Sequence, residues 1–346
     1  MFPTPPSRTG SRQQEKKAEA LVQQPGFLDN ALQGFSGYIA IDELYDGPFC
    51  YLSLVDAKSQ RRLVFHILEG SPEKGDVARL LSHFKTQLIL RDLALLGVTT
   101  DGSLLYPEAI QDLFPGVTHQ ICRFHMVKEI NQAVLHVVAA VRRRLRASIP
   151  KRPRGRPTKA SQRMNTKIEK LEALHKDLFD QRYLFVRRKM KKSERDTLER
   201  ISRPFPELRQ LREVVEEMYR LYDGRRKTPG ALAKLEVLRR RVERIKKLSK
   251  HLGRIMSANM DKSLAYLDIK GFPGTSNAVE RGNRRHRKMQ KSVYRVRTLE
   301  RIRGRISLDM LREGGLLTRV QAFELLHTIR RGGQDDNHLL LQCLFL

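Results

Sequence analysis

The sequence predicts an α/β fold, a mixed sheet interrupted along the chain by a large α-helical insertion. Three observations predict it. From Gly37 to Glu129, short apolar or alternating runs bounded by turn residues take turns with amphipathic segments. From Thr158 to Asp268 the pattern is helical and highly charged throughout. After a loop at Gly271 to Gly274, a very basic helix opens at Ser276-Asn277.

The elements follow in order. The first 36 residues are Pro-, Gln- and Ser-rich and then weakly apolar, which reads as a disordered tail with one short helix near Phe27 to Leu32. Tyr38–Asp42, Phe49–Asp56 and Arg61–Leu68 alternate and are rich in β-branched and aromatic residues. They read as antiparallel strands joined at Asp46-Gly47-Pro48 and at Ala57 to Gln60. Val77, Leu80, Leu81, Phe84 and Leu88 give Gly75 to Leu90 one apolar face, so this is a helix. Leu95 to Val98 runs as a buried strand into Thr99-Thr100-Asp101-Gly102. Leu104 to Phe114 is an amphipathic helix closed by Pro115-Gly116, Val117 to Ile121 is a strand, and Met126 to Ile149 is a helix that turns steadily basic. The order is β-β-β-α-β-α-β-α. It divides the chain into a core at 37–149, an insertion at 150–268, a final core helix at 269–312 and a tail at 313–346.

Composition narrows the function. The chain of 346 residues has 67 Lys and Arg against 38 Asp and Glu, a net charge of +29. So large an excess predicts a polyanionic partner. The charge is unevenly placed. Gly37 to Ile130 holds 9 basic against 12 acidic residues. Arg142 to Lys159 holds 9 basic and no acidic ones, and Arg281 to Arg305 holds 11 basic against Glu300 alone. No apolar run reaches membrane-spanning length and no secretory leader opens the chain, so no membrane partner is expected. Cys50, Cys122 and Cys343 form no paired framework and no zinc-finger spacing.

Three carboxylates stand where chemistry is expected. Asp42 ends the first strand, Asp101 ends the fourth, and Glu280 lies in the first turn of the basic helix. In open α/β sheets ligands bind at the carboxyl ends of strands. Two aspartates from neighbouring strands and a glutamate from a helix suit a divalent cation with a hard, octahedral sphere. Each residue also has a plainer reading. Asp42 can be satisfied by backbone, Asp101 can serve an Asp-Gly turn, and Glu280 can complement a helix dipole. Ser276 or Asn277 is expected to cap that helix. Glu43 and Asp46 are weaker alternatives to Asp42 and read first as solvated loop residues, and Glu300 and Glu313 are fallback third carboxylates.

Taken together, Asp42 in AIDE, Asp101 in TTDG, Cys122 and His125 in HQICRFH, and Glu280 in SNAVERGN resemble a DDE transposase with an RNase H-like catalytic core. The likeness is to Mutator-like transposases and bacterial insertion-sequence enzymes, and it covers roughly Gly37 to Arg312. It implies an RNase H-like mixed sheet with a large α-helical insertion. It implies that Asp42, Asp101 and Glu280 are the catalytic metal ligands, holding two Mg²⁺ or Mn²⁺ ions for DNA cleavage and strand transfer. It implies a supporting role for Cys122 and His125. The partners would be transposon ends and target DNA, bound as a homo-oligomer by a cytoplasmic, nucleoid-associated protein. Transposases of this kind usually carry a DNA-binding domain ahead of the core, whereas 36 residues precede the first strand here. That favours one alternative, a catalytically silent DNA-binding relic, and another RNase H-like nuclease is a separate one.

Two basic segments are the expected DNA contacts. Arg281, Arg284, Arg285 and Lys288 follow Glu280 with little acid interspersed, as phosphate-binding residues do. In Lys151-Arg152-Pro153-Arg154-Gly155-Arg156-Pro157 the prolines and glycine exclude a helix. The segment is AT-hook-like: an extended strip would lay Arg152, Arg154 and Arg156 into a narrow minor groove. The plainer reading is a charged linker. The stripes Ile168, Leu171, Leu174, Leu178 and Leu235, Leu238, Val242, Ile245, Leu252 are expected to be helix-packing cores.

Overall fold

The computed structural model describes residues 15–16, 18–223, 227–245, 250, 252–291 and 297–313. Its sheet is built from β1 (Tyr38–Asp46), β2 (Phe49–Asp56), β3 (Arg62–Glu69), β4 (Gly97–Thr100) and β5 (Thr118–Ile121), in the order β3-β2-β1-β4-β5. The first three strands pair antiparallel, and β1-β4 and β4-β5 pair parallel. Asp46 pairs with Phe49 across a two-residue turn whose first residue, Gly47, has φ +62°, a hairpin geometry that matches strand twist. The expected β-β-β-α-β-α-β-α order is the observed one.

Helices cover the sheet on both faces. One face carries α1 (Pro25–Ala31), α2 (Lys74–Ile89), α3 (Pro107–Leu113) and α11 (Leu299–Glu313). Ile39, Ile41, Leu54, Val77, Leu81, Phe84, Ile110, Ile306 and Met310 are buried in a single cluster there. The anticipated face of α2 is buried in full. On the other face α10 (Asn277–Met289) lies against β1 and β2, where Ala278 and Val279 pack on Ala40 and Val55. Ala40 and Ala278 are small, so the helix backbone comes close to the strand. Every residue of β2 is buried, as expected of a strand covered on both faces.

Two expectations need correction. Residues 18–36 are not a tail. Phe27, Leu28, Ala31 and Leu32 enter the main core, and Gly304 of α11 lies so close to Glu15 that a Cβ would stand 2.9 Å from its Cα. Weak apolar content suffices because three large side chains and Ala31 fall on one short helical face. The second correction concerns the domain edge. The chain divides into two compact units, one of the residues up to Cys122 and from Gly271 on, the other Arg123–Lys270. The insertion thus starts at Arg123, not near 150. The reason is α4 (Arg123–Ser148), whose Ile130, Val134, Val137, Val141 and Leu145 are buried against helices of the second unit. Residues 314–346, the expected tail, lie outside the described residues.

Among the described residues the second unit holds α4, α5 (Lys159–Asp180), α6 (Lys192–Ser202), α7 (Pro206–Leu221), α8 (Thr228–Arg244), α9 (Ala258–Lys262) and three short 3-10 turns. Thr158 and Ser161 cap α5 reciprocally, Ser161 N–H donating to Thr158 Oγ1 at 3.1 Å and Thr158 N–H to Ser161 Oγ at 2.7 Å. Ile168, Leu178, Leu235, Leu238, Val242 and Leu252 are buried as expected. Leu208, Leu211, Val214, Val215 and Met218 of α7 complete that core.

The return from the insertion is pinned to the sheet. Phe272 stacks on Tyr38 at 4.8 Å between ring centroids, and Thr99 Oγ1 donates to the Pro273 carbonyl at 3.3 Å. Both fit because β4 opens with Gly97, where a Cβ would stand 2.7 Å from Phe272 Cζ. Gly97→Ala should therefore destabilise the core by about 1–3 kcal/mol, the usual cost of overpacking. Urea unfolding of Gly97→Ala alone and combined with Phe272→Leu checks it. The smaller side chain should recover part of the loss, and equal losses in both would exclude the contact as the cause.

Candidate active site

The register of β1 and β4 sets the site. Ala40 pairs with Thr99, so two further residues on each strand bring Asp42 level with Asp101 just where β4 ends. Adjacent strands lie about 4.8 Å apart. β1 runs on to Asp46, so Asp42 is mid-strand, not strand-terminal as the sequence suggests. Asp42, Glu43 and Asp101 each bring a carboxylate oxygen within 4.8 Å of the other two. Asp101 Oδ1 also accepts Ser103 N–H at 2.8 Å, so the Asp-Gly turn is real and coexists with membership of the cluster.

Glu43 is no solvated loop residue. It lies on β1, and Tyr106 Oη, at the start of α3, donates to its Oε1 at 2.6 Å. Burial pushes the Glu43 carboxyl up to about 7, with the charges of Asp101 and Asp42 adding to the rise and the Tyr106 hydrogen bond opposing it. Burial and the bonded Glu43 hold the Tyr106 hydroxyl well above its ordinary value. Asp46 is part of β1 as well and accepts from Tyr51 Oη at 3.2 Å.

From α10, fully buried Asn283 donates through Nδ2 to Asp42 Oδ2 at 3.2 Å. Among the described residues its Oδ1 is buried without a partner. Glu280 sits one turn earlier, half-buried, and accepts from Arg284 at 3.2 Å. It is not among the three mutually close carboxylates. Glu300 and Glu313 are not either. Glu300 pairs with Lys16 at 3.4 Å, and Glu313 takes Arg285 at 3.4 Å, with burial raising its carboxyl above the ordinary value.

The helix start is held by an unexpected contact. Ser276 occupies the cap position of α10 but makes no side-chain cap. Its N–H donates instead to the Sγ of buried Cys122 at 3.3 Å, at the end of β5. His125 lies on the first turn of α4, in the second unit, half-buried and edge-on to Phe124 at 5.8 Å.

Of the basic residues, Arg281, Arg284, Arg285 and Lys288 are all exposed on α10. Arg281 donates to Gln60 Oε1 at 3.0 Å. Residues 151–157 form an exposed irregular link in which Gly155 has φ +103° and Arg152 pairs with Glu172 at 2.9 Å. Tyr106 and Asn283 escaped the sequence reading, and Glu43 entered it only as a weaker alternative to Asp42. Only Asn283 left a signal there, since three residues from Glu280 is the spacing of neighbours on a helix.

Three carboxylate oxygens this close, with an amide oxygen unpartnered beside them, are a hard, oxygen-rich donor set. That fits a divalent cation such as Mg²⁺ or Mn²⁺ better than zinc, which favours nitrogen and sulfur. Among the described residues no helix is long and apolar enough to cross a membrane.

No curated protein and no solved structure gives a significant match. Residues 39–306, spanning β1 to α11 and all three expected carboxylates, match the ISL3 group of DDE transposases, described as transposase. That group is distinct from the Mutator-like one the motifs resemble. The chain belongs to the ISL3 family of DDE transposases, enzymes that cleave DNA and transfer strands with divalent metal.

Proposed function

We propose that the chain cuts and joins the ends of a mobile DNA element with Asp42 and Asp101 as its metal ligands and Glu280 completing the set. The observation that carries this is the convergence of Asp42 and Asp101 at one sheet end, with α10 bonded to Asp42 through Asn283. Two Mg²⁺ or Mn²⁺ ions bound there would activate an attacking oxygen and offset charge on the leaving one. The residues of the chain do the positioning. Asn283 fixes one Asp42 oxygen, and the Ser103 N–H fixes one Asp101 oxygen. Tyr106 holds Glu43 beside them, as a further ligand or a reserve one. Glu280 reaches the cluster by leaving Arg284, and that guanidinium then turns to phosphate.

Arg281, Arg284, Arg285 and Lys288, exposed along the same helix, hold the DNA backbone at this end of the sheet. Arg152, Arg154 and Arg156 read an AT-rich minor groove from the link. A nucleoid-associated homo-oligomer, which brings two element ends together, completes the reading.

Asp42→Asn or Asp101→Asn should lower Mn²⁺-dependent strand cleavage by about a hundredfold or more while duplex affinity holds, because phosphate contacts lie elsewhere. Equal loss of cleavage and binding would defeat that separation. Glu280→Gln should lose cleavage and Glu300→Gln should keep it. Normal cutting by Glu280→Gln, with loss in Glu43→Gln, would make Glu43 the third ligand.

Asn283→Ala should weaken Mn²⁺ binding by about tenfold, the scale on which partners of metal ligands act. Thermal unfolding across a Mn²⁺ titration measures it, and an unchanged midpoint concentration would remove Asn283 from the site. Arg154→Ala with Arg156→Ala should weaken binding to AT-rich duplex more than to GC-rich duplex. Uniform loss would reduce 151–157 to a basic linker.

A further inference from the structure

The second unit carries a stack of arginines and aromatic rings that neither cutting nor the minor-groove reading uses. Phe179, near the end of α5, is 46% exposed, and Tyr183, in the 3-10 turn Arg182–Val186, is 58% exposed. Such rings ordinarily seek cover. Here the Arg182 guanidinium lies 4.3 Å from the Phe179 ring centroid and 4.4 Å from that of Tyr183. Arg142, from α4, adds a second guanidinium 4.6 Å from Phe179. Arg182 is fixed in place, donating to the Phe179 carbonyl at 2.6 Å and to Tyr183 Oη at 3.4 Å.

The charge of this stack is not consumed locally. Among the described residues neither Arg142 nor Arg182 has a carboxylate partner. The acids on this part of α5 are mostly engaged, Asp177 with Arg200 at 2.8 Å and Glu172 with Arg152 at 2.9 Å, while Asp180 is exposed. Glu172 and Phe179 are seven residues apart, which puts them on one face of α5 about 10 Å apart along its axis. Arg152 of the proline-rich link thus sits about three nucleotide steps from the stack. Basic link and exposed rings form one track.

Guanidinium edges bind phosphate, while ring faces accept any base, because every base has a π-face. In duplex DNA the base faces are already stacked, so exposed rings gain nothing there beyond what the arginines give. We propose that Arg142, Phe179, Arg182 and Tyr183 form a binding site for unpaired nucleotides, a stretch of single-stranded DNA continuing from duplex held at the link. The proposal goes beyond the cutting site and does not depend on which carboxylates bind metal.

Anisotropy titrations of the full chain in chelator, where no cleavage occurs, test it with two probes, a blunt duplex and the same duplex bearing a short single-stranded extension. The unmodified chain should prefer the extended probe. Tyr183→Ala should lower affinity for that probe by at least about fivefold, the low end of the loss on removing one stacking ring. It should leave the blunt duplex unchanged, and Tyr183→Trp should retain the preference. Phe179→Leu, which keeps apolar volume beneath Arg142 and Arg182, should lose the preference too. Equal loss on both probes would make the stack a phosphate contact only, and no loss in either variant would make it a structural ornament of the turn. Either result overturns the proposal. Tyr183 is exposed enough that its truncation should leave the fold intact, which far-ultraviolet circular dichroism confirms independently of binding.

Discussion

Like charges held together are the constraint on which this molecule depends. Asp42, Glu43 and Asp101 bring carboxylate oxygens within 4.8 Å at a partly buried sheet end. Left to themselves such groups repel, and burial disfavours the charged form of Glu43. The surroundings answer in two ways. Neutral donors reach in, Tyr106 to Glu43, Ser103 N–H to Asp101 and Asn283 to Asp42. The permanent cations stay one layer back: Arg284 on Glu280, Arg281 on Gln60, Arg285 on Glu313. A guanidinium placed inside the cluster would neutralise it and remove its appetite for metal. Donors without charge orient the carboxylates and keep that appetite.

The same logic explains the placement of charge along the chain. The core strands and their first helices are slightly acidic, and the positive excess lies beyond them, on Arg142 to Lys159, on the insertion helices and on Arg281 to Arg305. Interspersed cations would screen the site from metal and give DNA no single path. Segregation allows phosphate and cation to be held by different surfaces. The insertion follows the rule on a smaller scale. Many of its surface arginines are paired, Arg144 with Glu207, Arg200 with Asp177 and Arg241 with Glu217, so those cations spend their charge on the fold. Exposed pairs of this sort add little stability each.

Much of the fold was legible because it rests on local periodicity. Three alternating runs, a clean apolar face on Val77 to Leu88, and a glycine-bounded strand before Asp101 give the order of elements and place Asp42 and Asp101 on neighbouring strands. What was not legible depends on contacts between distant segments. Nothing local distinguishes Glu43 from a loop acid, since the strand continues past Asp42 only because β2 pairs with it as far as Asp46. Tyr106 gives no pattern until α3 sets its hydroxyl against Glu43. Ser276 reads as a helix cap by residue type, yet its N–H is turned to Cys122, which lies 154 positions away in sequence. The tail reading failed for a related reason, since Phe27 to Leu32 is too short to show a helical period with strength and gains its order from the core it enters.

Those long-range contacts also explain how the chain bears so large an interruption. The insertion leaves from Cys122 at the end of β5 and comes back at Gly271. Within a few residues of return, Phe272 covers Gly97 and stacks on Tyr38, Pro273 takes Thr99, and Ser276 bonds Cys122. The two ends are therefore tied to adjacent strands of one sheet. The entropy cost of closing a loop grows only with the logarithm of its length, so lengthening an existing connection between fixed ends is inexpensive. The inserted segment must then meet its own cost of ordering, and it does so with the buried faces of α4, α7 and α8. What the core requires of the insertion is a fixed exit and a fixed return, because the return positions the first turn of α10. Asn283 can bond Asp42 only if that turn starts in the right place. The contacts at Gly97 and Cys122 thus reach the carboxylate cluster through the helix whose start they fix.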